Sequence, residues 1–132
     1  MGNPVVHFEF YAKDIKAQSK FYAGIFGWDA NAHEESGYVM FNTGSEEGIG
    51  GGGIQMDGEH EGMKPYITFY IQVDDLQESL AKVNAGGGQT IMPPMEIPGS
   101  KGAASMALFL DPEENVVGLY TVNDPDAVCD DS

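Results

Sequence analysis

The sequence lacks arginine, holds one cysteine and contains no long apolar run. Without arginine, no bidentate guanidinium clamp for phosphate or carboxylate can form. Because Cys129 stands alone, an internal disulfide and a cysteine-based zinc site are excluded. No stretch of 18 apolar residues exists, and the first residues lack a secretory pattern. We therefore expect a cytoplasmic protein without a membrane span.

Positive charge is also scarce. Six lysines face 21 acidic residues, which gives a formal net charge of −15 at pH 7. Such a surface repels nucleic acid and anionic membranes, so we expect neither as a partner. The acidity serves solubility or, alternatively, offers an acidic docking surface.

The chain contains a repeated unit. Residues 4–27 and 65–88 each read as a strand with period-two alternation, an aspartate cap, an amphipathic helix and a terminal glycine. Asp14 matches Asp75 and Gly27 matches Gly88, both at an offset of 61 positions. Three further strands follow each helix, so the pattern predicts an α+β fold of two tandem βαβββ modules. We place the modules at residues 1–56 and 65–122, joined by a linker at 57–64 and followed by an acidic tail at 123–132. The strand that begins at residue 89 is predicted to end at Met92, before Pro93 and Pro94.

Several short motifs point to a known family. The residues concerned are His7, Asp14, Ile15, Phe21, Tyr22, Phe26, Gly27, Trp28, Val73, Asp74, Asp75, Gly86, Gly87, Gly88, Pro93, Pro94, Asp111, Pro112, Glu113, Asn115, Gly118 and Leu119. Over residues 4–122 the chain resembles the vicinal oxygen chelate superfamily, which includes glyoxalase I, extradiol dioxygenases and the fosfomycin and bleomycin resistance proteins. It is most similar to the lactoylglutathione-lyase-related branch. The resemblance implies curved mixed sheets around a cup-shaped cleft with a ligand site inside, and a homodimer.

The resemblance also implies four positions for metal ligands, on the first and last strands of each module. In this sequence they fall at His7, Gly53, Thr68 and Gly118. Only His7 carries a side chain suited to a divalent transition metal, which needs three or more such donors. We therefore predict no cofactor and no usual metal site. An alternative donor set is His7, Glu9 and Glu96, whereas His33 and His60 are interpreted as exposed bystanders.

Strand alternation predicts the lining of the cleft. The predicted polar faces carry His7, Glu9, Tyr11, Thr68, Tyr70, Gln72 and Tyr120. Gly53, Gly118 and Glu96 complete the predicted ligand-binding set. The glycine run at residues 50–53 either opens room for a ligand or only lets a strand curve.

Two functions remain open at this point. The first is a metal-free, bleomycin resistance-like protein that binds a small aromatic or cationic molecule. The alternative is a metal-dependent or metal-free lyase- or isomerase-type enzyme acting on a small carbonyl or hydroxy compound. His7 or Glu9 would then be the acid-base group, and Tyr70 or Thr68 would donate a hydrogen bond to the developing oxyanion. His7 and Glu9 could also be an ordinary polar pair without a catalytic role.

Overall fold

The computed structural model describes residues 2–32, 37–58, 61–97 and 102–123. The elements in chain order are β1 (Val5–Ala12), α1 (Ile15–Phe26), β2 (Asp29–Ala32), β3 (Val39–Asn42), β4 (Gly50–Gln55), β5 (Tyr66–Gln72), α2 (Leu76–Ala85), β6 (Gln89–Glu96), β7 (Ala104–Leu110) and β8 (Val116–Val122). His33, His60, Cys129 and most of the acidic tail lie outside the described residues.

One compact unit comprises His7–Thr68. Its strands follow the order β2–β3–β4–β1, with antiparallel pairing except between β4 and β1, which run parallel. Apolar side chains of the sheet and of α1 form its core, with the aromatic rings in mutual contact. The members are Phe8, Phe10, Ala12, Ile15, Tyr22, Trp28, Val39 and Phe41.

Helix α1 begins and ends as the sequence predicts. The Asp14 carboxylate accepts a hydrogen bond from the Ala17 N–H at 3.1 Å, which satisfies one of the unpaired donors of the first turn. Gly27 adopts the left-handed conformation at φ 73°, and its N–H donates to the Ala23 carbonyl. Gln55 at the end of β4 accepts from the Ile15 N–H at 2.9 Å, so the strand and the helix start are joined directly.

The second unit combines Met1–Val6 with Phe69–Ser132. Its strand order is β5–β8–β7–β6, again with one parallel pair, β5 with β8. Asp75, which matches Asp14 in the repeat, accepts a hydrogen bond from the Glu78 N–H and caps the start of α2. The core beneath α2 contains Val73, Leu76, Leu80, Ala107, Phe109, Val117 and Leu119.

The predicted end of β6 is wrong. This strand continues through Pro93 and Pro94 to Glu96, with two shifts of register against β7 on the way. A proline lacks the N–H that a central strand needs, but β6 is the last strand in the order of its unit. The prolines therefore create irregularities in the pairing without ending the strand.

Each half thus has the order βαβββ with mixed strand pairing, which confirms the predicted α+β fold class. The cup-shaped cleft stays a prediction. In the part of the chain that the structure describes, no helix combines the length and the apolar character needed to cross a membrane.

Two glycine substitutions should change stability in opposite directions. A Cβ at residue 24 would meet nothing within 4 Å, so Gly24→Ala should raise the free energy of unfolding by about 0.5–1 kcal/mol through helix propensity. A Cβ at residue 51 would lie 2.5 Å from the Phe8 ring, so Gly51→Ala should lower it by about 1–3 kcal/mol. Urea denaturation of both variants checks the two signs, and equal shifts would contradict the packing described here.

Candidate functional site

The site begins with the alternation of β1. Phe8 and Phe10 point into the core beneath α1, so His7 and Glu9 lie on the opposite face of the strand. This face agrees with the sequence prediction. Glu9 is only 4% exposed, and a carboxylate buried to this degree requires hydrogen-bond partners.

Tyr38, immediately before β3, connects these two side chains. Its hydroxyl oxygen lies 2.9 Å from His7 Nε2 and 3.1 Å from Glu9 Oε2. We call His7, Tyr38 and Glu9 the polar triad. All three belong to the unit His7–Thr68, so the triad is contained in a single module.

The chemistry of the groups fixes the direction of these hydrogen bonds. An ionised carboxylate only accepts, so the Tyr38 O–H donates to Glu9. The Tyr38 oxygen can then accept the N–H of His7 Nε2. In this arrangement the imidazole carries its proton on Nε2, and Nδ1 is its acceptor nitrogen.

Burial changes the acid-base properties of the triad. Desolvation lowers the pKa of His7 from 6.5 to about 4, so the imidazole is neutral at pH 7. The pKa of Tyr38 is raised well above its usual range, first by burial and then by the charge and the hydrogen bond of Glu9. Tyr38 therefore keeps its proton and acts as a donor to Glu9.

The glycine run of β4 gives the triad its space. Glu9 is opposite Gly52 and Phe10 is opposite Gly53 in the parallel pairing. A Cβ at Gly52 would lie 2.0 Å from the Tyr38 hydroxyl oxygen, whereas one at Gly53 would lie 2.3 Å from Ile15 Cδ1. The prediction that Gly53 shares the face of His7 is therefore wrong. Gly53 faces the core, and Gly52 takes its predicted place.

Two further tyrosines of this unit stack on each other. The rings of Tyr11 and Tyr66 are 4.3 Å apart at an interplanar angle of 11°. Tyr11 is 5% exposed, whereas Tyr66 is only half-buried. Burial and the nearby charge of Glu9 raise the pKa of Tyr66, and a hydrogen bond with Tyr11 opposes them. Thr68, the predicted repeat mate of His7, is 2% exposed.

The predicted site residues of the other unit follow a related arrangement. Tyr70 is opposite Gly118, and Gln72 is opposite Tyr120, in the parallel pairing of β5 with β8. A Cβ at Gly118 would lie 2.4 Å from the Tyr70 ring, so a tyrosine covers this glycine as well. Glu96 is exposed at the end of β6. Ligand binding by these residues stays a prediction.

The comparison with protein families agrees with this arrangement of modules. Residues 5–119 match the family model described as the Glyoxalase/Bleomycin resistance protein/Dioxygenase superfamily. The chain belongs to this superfamily. The predicted family is thereby confirmed.

The chain is similar to curated proteins whose names indicate different roles. It is 34% identical over 113 residues to a putative glyoxylase, CFP32, of Mycobacterium bovis. It is 30% identical over 118 residues to the anthracycline biosynthesis protein DnrV of Streptomyces peucetius. The matches cover 83% and 80% of this chain, but only 42% of each relative. The chain therefore spans less than half the length of these relatives.

A solved structure shows the same fold. The Mn(II)-bound glyoxalase from Novosphingobium aromaticivorans superposes with a TM-score of 0.63 at 18% identity. The match covers 91% of this chain and 39% of that protein. At this identity the similarity is one of fold alone.

A resident divalent metal ion does not fit the side chains of the triad. His7 and Glu9 are two donors of suitable type, but the Tyr38 hydroxyl lies between them and Gly52 supplies no third donor. Across residues 2–32, 37–58, 61–97 and 102–123, no three histidine, cysteine, aspartate or glutamate side chains gather closely enough to hold a metal ion.

Two shallow surface depressions lie away from the triad. One of about 420 Å³ borders the first turns of α1 and includes Asp14 and Phe21. The other, of about 260 Å³, borders the first turn of α2 and includes Asp75. Both are open to solvent, and neither is lined by a residue of the triad.

Sequence reasoning missed Tyr38, Gly52 and Tyr66. Tyr66 is two residues before Thr68, so strand alternation places both on one face, and Tyr66 could have been included on that ground. Tyr38 is two residues before Met40 and therefore on the same strand face, and Met40 is opposite Gly52. On that ground it could have been included. No local signal distinguishes Gly52 from its neighbours within a run of four glycines.

The low pKa of His7 predicts a specific pH dependence of stability. Between pH about 4 and 6.5 the unfolded chain binds a proton at His7 that the folded protein does not. Stability should therefore fall as the pH falls through this window, by up to about 3 kcal/mol at 1.36 kcal/mol per pH unit. Above pH 6.5 this contribution is constant. Urea denaturation of the wild type and of His7→Gln isolates it, because the acid response of the carboxylates is common to both. Parallel pH profiles would contradict the assignment.

Proposed function

We propose that the chain is a metal-independent member of the superfamily that binds a small organic molecule at the face of the polar triad. The observation that carries the proposal is the Tyr38 hydroxyl between His7 and Glu9. In that arrangement the two side chains with metal-binding chemistry are already hydrogen-bonded to a neutral group. The face then offers an imidazole, phenols and a carboxylate for direct recognition of a ligand.

The electrostatics favour an aromatic or cationic ligand. The neutral imidazole and the protonated Tyr38 bring no positive charge to Glu9. The net charge of −15 also attracts cations by long-range steering. The half-buried Tyr66 ring, held by its stack on Tyr11, is the aromatic surface that a planar cation could meet. Similarity to a protein of anthracycline biosynthesis supports this class, since anthracyclines are fused-ring aromatic compounds.

A cationic anthracycline, doxorubicin, is the probe for this proposal. The wild type should quench its fluorescence on titration and remain free of stoichiometric metal by elemental analysis. Tyr66→Leu should weaken binding about three- to tenfold, the effect expected from loss of aromatic contact. Phe21→Leu, on the exposed part of α1, is the matched control and should bind as the wild type does.

Two results would contradict the proposal. One is a wild-type protein that carries a stoichiometric metal ion lost on substitution of His7. The other is binding of doxorubicin that is equally strong in the wild type and in Tyr66→Leu.

A second candidate function is proton transfer on a small carbonyl compound. The Tyr38 hydrogen bond to the buried Glu9 favours it, since a positioned carboxylate can take a proton from the carbon beside a carbonyl group. The resulting enolate would receive a proton back at the same carbon, and Thr68 would donate a hydrogen bond to its oxygen. Similarity to a putative glyoxylase supports a small oxygenated substrate.

Deuterium exchange tests this candidate without knowledge of the product. The wild type should speed incorporation of solvent deuterium beside the carbonyl of hydroxyacetone, followed by proton NMR. Glu9→Gln should reduce this rate to that of buffer because the amide cannot accept the proton. Glu78→Gln, a change on the exposed surface of α2, should have no effect. Unchanged exchange in Glu9→Gln would remove Glu9 from the reaction.

A homodimer and a cytoplasmic location stay predictions alongside these proposals. For the dimer, one observation is favourable. Phe21, Ile25 and Phe26 on α1 are each more than half exposed, which is typical of a surface that a partner covers.

A further inference from the structure

The irregular pairing of β6 with β7 brings three methionines to one face of the second unit. Met95 is opposite Met106, and Met92 is opposite Leu108. Met106 and Leu108 are two residues apart in β7 and therefore lie on the same face. Directly opposite residues share a face as well, so Met92 and Met95 lie beside them. In a regular strand a step of three would separate Met92 from Met95, and the register shift between them removes that separation.

This face is the side of the sheet that α2 does not cover. The core beneath α2 contains Ala107 and Phe109 of β7, and Val117 and Leu119 of β8. The alternate residues of both strands therefore point to the opposite side. We call that side of the second unit the methionine face. Its members toward β6 are Met92, Met95, Met106, Leu108 and Tyr120.

The methionine face has no charged side chain in the described strands of this unit. Every β7 and β8 residue on it is apolar, a glycine or a tyrosine. Gln72 of β5 and Gln89 of β6 add polar but uncharged groups, whereas Glu96 pairs with a residue on the α2 side of the sheet. One residue in five of the whole chain is charged, so an uncharged face is a clear departure from the rest of the protein.

The open part of the methionine face lies toward β6. Near β5, the Tyr70 ring lies against Gly118 and is 3% exposed, and Leu108 in β7 is 8% exposed. Met95 is 42% exposed, and Tyr120 and the other two methionines are partly exposed. A ligand would therefore rest on the methionines and Tyr120 rather than enter the sheet.

We propose that the methionine face binds an uncharged, flat aromatic molecule. Thioether side chains are unbranched and polarisable, so they adapt to rings of different outline and make favourable contacts between sulfur and the ring. Tyr120, directly opposite Met106, adds an aromatic ring. An ionic ligand would lose its hydration on this face without meeting an opposite charge. The proposal goes beyond the function proposed for the triad, since it concerns the other unit and uses no residue of the triad.

The probe is 1-aminoanthracene, an uncharged fused-ring amine whose fluorescence rises in apolar surroundings. The wild type should bind it saturably. Met95→Gln/Met106→Gln should weaken binding about tenfold, because the amide keeps the length of the side chain but removes its apolar contact with the ring. Met95→Leu/Met106→Leu, which stays apolar, should bind within about threefold of the wild type.

Met63→Gln is the matched control. It makes the same change at a methionine of nearly equal exposure, 40% against 42% for Met95, and lies outside the methionine face. It should bind the probe as the wild type does. If the double glutamine variant does not fold, Met95→Gln alone, at the most exposed of the three positions, should still weaken binding about threefold.

Methyl NMR of protein labelled with ¹³C at the methionine methyl groups locates the probe without any substitution. The ring current of bound 1-aminoanthracene should shift the methyl signals of Met92, Met95 and Met106 and leave that of Met63 in place. The proposal is overturned by a wild type that does not bind the probe, by glutamine variants that bind it unchanged, or by shifts confined to other methionines. Each of these results would leave the doxorubicin experiment as a separate test of the triad, because that experiment depends on Tyr66.

Discussion

The hydrogen bond from Tyr38 to Glu9 depends on the parallel pairing of β1 with β4. This pairing sets Gly52 opposite Glu9, and the phenol lies in the space that any other residue at position 52 would fill. The same bond also gives the buried Glu9 carboxylate one of its hydrogen-bond partners. A charged group that is removed from water requires such partners. Throughout the described residues, every buried side-chain nitrogen and oxygen has a hydrogen-bond partner.

The group that lies beside Glu9 determines the charge of the site. A divalent cation would more than neutralise Glu9, whereas a protonated tyrosine only hydrogen-bonds to it. Tyr38 thus adds no positive charge beside Glu9, on a protein whose net charge is −15 at pH 7. This charge balance underlies the proposed preference for cationic molecules.

Local signals in the sequence were sufficient for the elements and their caps. Asp14, Asp75 and Gly27 each perform the capping role that their position predicts. The pairing of β6 was beyond such signals, because the effect of Pro93 and Pro94 depends on whether the strand is central or last in its sheet. Residue propensity alone predicts that a strand ends at a proline, whether the strand is central or last in its sheet.

The candidate site was only partly predictable for a related reason. Alternation along β1 placed His7 and Glu9 on one face, since period two is a property of the strand itself. Four successive glycines show no alternation of side-chain type, so the sequence does not tell which of them faces the triad. The register with β1 decides that it is Gly52. Tyr38 is 29 residues from Glu9 and 31 from His7 along the chain, and contacts of that range are set by the tertiary fold.

A tyrosine ring lies against a last-strand glycine in each module, Tyr38 on Gly52 and Tyr70 on Gly118. In each pair the larger residue is tolerated only while the smaller one stays small. Selection then acts on the pair. A homologue with a larger residue at either glycine position should therefore have a smaller residue in place of the tyrosine that lies against it. The two pairs would thus vary as separate units among related sequences.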